Sequence, residues 1–154
     1  MILPCGVTGF CDRTTAPPPN TDVRAFRGHC YEAARCVRGT VVSFTNPYPG
    51  VTDNYAVAVL DTAAGAVAVL LNAHHPIVAF ADPKGVTGSS FEFRDVPALA
   101  DYFGGLGVYT VATAAGLNER PGAAHLRDLS PAELKRVKYF EPRRVGEIVF
   151  NFWD

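Results

Sequence analysis

Residues 55–60 (Tyr-Ala-Val-Ala-Val-Leu) and 66–71 (Ala-Val-Ala-Val-Leu-Leu) alternate small and large apolar side chains across a short loop that contains Asp61 and Gly65. A period of two over both runs commits the middle of the chain to an antiparallel hairpin. Each strand has a valine face and an alanine face. Valine fills a core, whereas alanine lets a helix or another backbone come close, so the two faces should meet different neighbours.

The flanking segments extend this hairpin into a sheet. Residues 40–45 are rich in β-branched side chains and read as a strand, ended by the turn residues at 46–50. Residues 77–80 form a fourth short strand, 90–94 a fifth and 108–113 a sixth. Before them, Val23, Phe26, Cys30, Ala33 and Val37 recur every three or four positions, which predicts a helix over 22–38 with Gly39 as its left-handed terminator. Arg24, Arg27, Arg35 and Arg38 fall on its other sides, as a solvated face would. Asp95 is placed to cap a short helix over 96–103. Residues 114–129 read as mostly loop, with a helical turn near 123–127.

The C-terminal stretch carries the clearest local signals. Ser130 and Glu133 form a capping box with Pro131 at the first helical position. Leu134, Val137 and Phe140 are spaced to form a buried stripe, and Pro142 stops the helix. From Glu147 the period becomes two, with Ile148, Phe150 and Phe152 on one side and Val149, Asn151 and Trp153 on the other, which predicts an interior strand.

The sum is an α+β fold in a single globular domain: a largely antiparallel sheet of five to six strands with two to three helices mainly on one face. Residues 1–21 are its irregular N-terminal segment, 22–129 its first helix, meander and connecting elements, and 130–154 its last helix and final strand. A chain of 154 residues suits one domain better than two.

Four cysteines fall in two equally spaced pairs, Cys5 with Cys11 and Cys30 with Cys36. Five intervening residues is too long for a zinc knuckle, and six positions along a helix turn the second thiol roughly 240° from the first. Small buried or half-buried thiols are expected, with no metal and no cofactor. The glycine-rich segments at 84–90 and 103–107 lack the Gly-Lys-Ser/Thr ending of a phosphate cradle. His74 and His75 precede Pro76 in an extended loop. The formal charge of -1 provides no overall field for nucleic acid. The apolar region at 55–81 is interrupted by Asp61, Asn72 and Pro76, so no membrane span is expected. The N-terminus lacks a secretory signal, which leads to the expectation of a cytoplasmic protein.

No spacing in the chain names a reaction. An apolar content of 48% without a catalytic set points to a non-enzymatic protein-binding domain, either of the toxin-neutralising, immunity type or an adaptor, that meets a protein partner or a second copy of itself. Tyr48, Tyr102, Arg143 and Arg144 suit the role of anchors by side-chain type, and Trp153 suits the core. The alternative is a small hydrolase or transferase using Cys30 and His74.

Overall fold

The computed structural model describes residues 1–47, 53–85 and 91–153. In chain order the elements are α1 (Val23–Cys36), β1 (Thr40–Thr45), β2 (Tyr55–Thr62), β3 (Gly65–Asn72), β4 (Ile77–Ala81), α2 (Pro97–Gly105), β5 (Thr110–Val111), α3 (Ala114–Asn118), α4 (Ala123–Leu126), α5 (Pro131–Phe140) and α6 (Gly146–Val149). The strands form one sheet in the order β1-β2-β3-β4-β5. The first four make an antiparallel meander, and β5 joins β4 in parallel.

The hairpin register explains how alanine and valine share the sheet. Ala56 pairs with Leu71 and Ala58 with Val69, while Val57 pairs with Leu70 and Val59 with Ala68. The valines of β2 and of β3 therefore lie on opposite faces, and on each face small residues sit beside large ones. Ala56 and Ala58 join Ala33, Ala34, Cys30 and Phe26 of α1 in one core cluster, so the helix comes close where the sheet is shallow. Leu99 and Phe103 of α2 complete that layer.

Helices lie on both faces of the sheet rather than mainly on one. The opposite cluster contains Tyr55, Val57, Leu70, Ile77 and Ala79 of the sheet, covered by Leu117 of α3, Ile148 and Val149 of α6, and the N-terminal Leu3 and Val7. The irregular start of the chain is thus a core element. Its anchor is Glu133 in α5, which is 0% exposed. Oε2 of Glu133 accepts from Ser130 N–H at 2.8 Å, completing the expected capping box. Oε1 accepts from Gly6 N–H at 3.0 Å, Thr8 N–H at 3.2 Å and the Thr8 hydroxyl at 2.8 Å. Four donors around one carboxylate replace the solvation that burial removes. The buried stripe of α5 is accordingly set by Glu133, with Val137 and Phe140 packed at its edge, and Leu134 is exposed instead of buried.

The predicted C-terminal strand is instead the short helix α6 followed by irregular chain. Side-chain amides satisfy its backbone in place of a ladder. Asn54 and Asn72 each donate from Nδ2 to the carbonyls of both Val7 and Val149, and Asn151 N–H donates to Asn54 Oδ1. Gly146 faces the ring of Phe93, into which any Cβ would intrude. The other expected strands shrink as well. Within the described part of 90–94 there is a single antiparallel bridge, Phe93 to Ala81, and of 108–113 only Thr110 and Val111 pair. Asp95 does not cap α2, because its Oδ1 accepts from Ala114 N–H at 2.9 Å. Residues 114–129 hold two short helices in place of one turn. None of the helices among the described residues is long and apolar enough to cross a membrane.

Candidate functional site

Two concave regions bear on function. The first is a cleft of about 460 Å³ between the N-terminal segment, α1 and the β3–β4 turn, lined by His29, His74, His75 and Tyr109 together with Pro19 and Val108. The N–H of Asn72's neighbours builds it: Asn72 Oδ1 accepts from both His74 N–H and His75 N–H. The imidazoles are then turned onto carbonyls. His74 Nδ1 lies 2.9 Å from Pro19 O and His75 Nε2 lies 2.8 Å from Cys5 O. A carbonyl only accepts, so each of those nitrogens carries a proton and each ring holds the N-terminal segment in place. The far side of the His74 ring packs on Gly9, where a Cβ would stand 2.8 Å from Nε2. His29 Nδ1 shares a 2.7 Å hydrogen bond with the Tyr109 hydroxyl, and burial pushes the Tyr109 phenol up to about 12.

Cys30 is not part of this cleft. It is 0% exposed between α1 and the sheet, and desolvation pushes its thiol well above the ordinary value. A thiol in that state is a poor nucleophile. Against the expectation of buried or half-buried thiols, Cys5, Cys11 and Cys36 are all exposed: Cys36 lies about 240° around α1 from the buried Cys30, and Cys5 and Cys11 lie in the irregular N-terminal segment at the surface. Among the described residues no group of three or more His, Cys, Asp or Glu side chains is arranged to hold a metal ion.

The second region lies on the opposite face, at the end of α5. Phe140 stacks on Trp153 with ring centroids 5.0 Å apart and planes 4° from parallel. Tyr139 meets Phe140 edge-on at 5.0 Å and is itself 77% exposed. Phe152 is 42% exposed beside them. Phe140, Phe150, Phe152 and Trp153 line a groove of about 430 Å³ together with Arg143 and the two carboxylates Glu141 and Glu147. Glu141, Pro142 and Arg143 also line a second hollow, with Arg120. Tyr139 also borders a hollow of about 480 Å³ with Phe10, Lys135 and Arg136, where the Arg136 guanidinium lies over the Phe10 ring at 4.6 Å.

The anchors expected from side-chain type are scattered. Tyr48 lies outside the described residues. Tyr102 is half-buried on the α1 side of the sheet, edge-on to Phe103, and its hydroxyl is pushed up by burial and by nearby Glu32. Arg144 is drawn inward: its guanidinium donates to Phe91 O at 2.7 Å and Asn118 Oδ1 at 3.1 Å, pairs with Glu147, and lies over the Phe93 ring. Arg143 is exposed beside the aromatic groove, and its backbone N–H donates to Glu147 Oε2 at 2.6 Å. Trp153 is buried, as expected. Tyr139, Phe152 and Arg120 are the additions that sequence reasoning missed. Tyr139 lies off the buried stripe of α5 in either register, and an exposed tyrosine on a helix carries no sequence signal for binding; Phe152 is concealed because a strand aligns it with Ile148 and Phe150.

The chain matches no protein-family profile, no curated protein and no solved structure.

Proposed function

We propose that the protein is a non-enzymatic, cytoplasmic binding domain that acts in a stoichiometric complex with another protein chain, as an immunity-type protein or an adaptor does. The observation that carries this reading is the ring series Tyr139, Phe140, Trp153 and Phe152, which is rooted in the core at its centre and exposed at both ends. Rings held by packing lose little further freedom on association, and aromatic side chains next to arginine are the residue types that dominate binding energy at interfaces. The alternative hydrolase or transferase needs a nucleophile and base in reach of solvent. Cys30 is enclosed, and His74 has one nitrogen on Pro19 and its other side against Gly9.

The test is a photo-crosslinking amino acid placed at position 139 or 152 in the native host, followed by light scattering on the captured species. One discrete adduct of fixed stoichiometry, lost when the crosslinker is moved to the exposed position 24 on α1, is the expected result. A strictly monomeric protein with no adduct, together with hydrolytic activity lost on His74→Ala, would overturn the reading.

A further inference from the structure

We propose that the outer face of α1 binds single-stranded nucleic acid, with a base stacked on Tyr31 and backbone phosphates on Arg24, Arg27, Arg35 and Arg38. The face lies across the sheet from the ring series at the end of α5, so it adds a second binding activity and does not rest on the protein complex proposed above. The arginines of this helix surround an aromatic ring, Tyr31, that is 45% exposed.

At about 100° per residue, Arg24, Arg27, Tyr31 and Arg35 fall within an arc of about 80°. That arc points away from Phe26, Cys30 and Ala33, which are buried against the sheet, and its three arginines are exposed. The stripe runs about 16 Å from Arg24 to Arg35 with the ring near its middle. Arg38, exposed just past the end of the helix, extends it. The guanidinium groups of Arg24 and Arg38 have no partner among the described residues. Arg27 is steadied by the Phe44 ring, whose centroid is 5.2 Å from its guanidinium carbon. Arg35 pairs with Glu32 at 3.1 Å, but both side chains are more than half exposed, so the contact contributes little and exchanges readily for a phosphate. Glu32 is the only carboxylate within the helix, and it lies on the α2 side, near the Tyr102 hydroxyl. Asp22 is turned to the start of the helix, where it accepts from Ala25 N–H at 2.9 Å. Four guanidinium groups against these two carboxylates leave the face positive, which the formal net charge of -1 conceals. Gly28, one turn before Tyr31, has nothing within 4 Å of where a Cβ would stand, so the helix surface beside the ring is bare. A base can lie flat there against the ring while its flanking phosphates reach arginine on either side. An acidic peptide would engage the arginines and leave the ring unused, and a duplex keeps its bases stacked on one another, away from Tyr31.

The probe is a fluorescein-labelled oligouridylate of about 12 nucleotides, followed by fluorescence anisotropy between about 50 and about 200 mM salt. Log affinity should fall with log salt at a slope of about -2 to -3, as three to four phosphates at about 0.7 each require. Arg24→Ala and Arg38→Ala should each flatten that slope by about 0.7. Tyr31→Ala should leave the slope in place and weaken binding about tenfold, and Tyr31→Phe, which keeps the ring, should restore it. Glu32→Gln should tighten binding about twofold to threefold by removing the adverse charge. Arg127→Glu should change neither affinity nor slope, because it follows α4, whose Leu126 packs with the opposite core cluster. All these side chains sit at the surface, so a thermal melt matching that of the parent protein will show that the variants fold. No binding at about 50 mM salt, equal affinity for polyglutamate of matched length, tighter binding of a duplex, a slope indifferent to both arginine variants, or a Tyr31→Ala variant that binds as well as the parent would overturn the proposal. The protein complex is read separately, from the adduct at position 139 or 152, and neither result decides the other.

Discussion

Glu133 is fully buried, and its two carboxylate oxygens accept four hydrogen bonds that tie the start of the chain to α5. The pairing of Ser130 and Glu133 was legible because a capping box is local. The second carboxylate oxygen was not, because its partners Gly6 and Thr8 are far away in the chain and their backbone N–H groups carry no sequence signature. Glu133→Gln keeps one acceptor and sets an amide against the remaining donors, so it should destabilise the protein by about 2–4 kcal/mol. Urea unfolding at neutral pH measures this, and a loss below about 1 kcal/mol would mean that the N-terminal segment is held by its apolar contacts alone. Cys30 supplies a second residue-level prediction. Burial raises its thiol above the ordinary value of 9.0, so the native state keeps its proton after the unfolded state has begun to lose it. Stability is then fully present below pH 9 and falls as pH rises above it, by about 1.4 kcal/mol per pH unit for this group. Cys30→Ala should remove that component of the slope between about pH 9 and 10. An unchanged slope in urea titrations would assign the alkaline loss to other groups.

At the scale of elements, sequence periodicity succeeded where an element is defined by one neighbour and failed where it is surrounded. The hairpin and α1 were legible through their periods, and α5 through its capping box and the proline that stops it, although its apolar stripe was placed on Leu134, which is exposed. The end of the chain was not legible, because a segment buried on every side shows apolar residues at every position, and period two is then indistinguishable from a turn of helix followed by coil. Glycines give a sharper test of why α1 ends where it does. Gly39 was expected to be its left-handed terminator, yet the positive φ, 53°, belongs to Arg38. Gly39 is required for a different reason: a Cβ there would collide with the Asp61 carbonyl of β2. Gly28, mid-helix, has nothing within 4 Å of a Cβ. Gly28→Ala should therefore stabilise by about 0.5–1 kcal/mol. Gly39→Ala should destabilise by about 1–3 kcal/mol, through displacement of β1 from β2. Thermal melts of the two variants moving in the same direction would contradict this account of both positions.

For the whole molecule, the deciding feature is that both chain ends close on the same face of the sheet through three buried asparagines. Val7 and Val149 each present one carbonyl to both Asn54 and Asn72, and Asn151 Nδ2 donates to Thr8 O. Composition predicted none of this, since asparagine is ordinarily a turn residue, and here it substitutes for strand pairing between segments that have no regular structure. The arrangement also orders the folding events. Contacts within the meander are short in sequence, whereas those joining residues 7–8 to 133 and 151 close most of the chain and carry the largest entropic penalty. The hairpin should therefore be formed in the transition state and the two ends should dock after it. In stopped-flow experiments Val69→Ala, in β3, should slow refolding and change unfolding little, whereas Asn151→Ala and Glu133→Gln should accelerate unfolding and leave refolding nearly unchanged. Removing residues 145–154 takes away the buried Val145, Ile148, Val149, Phe150 and Trp153 and should abolish the cooperative melt, because their combined burial, at about 1.5–3 kcal/mol for a large side chain, approaches the stability of an entire domain. If the Asn151 variant instead refolds slowly with an unaltered unfolding rate, the ends assemble first, and the closure of the chain, not the hairpin, is the nucleus on which the sheet is built.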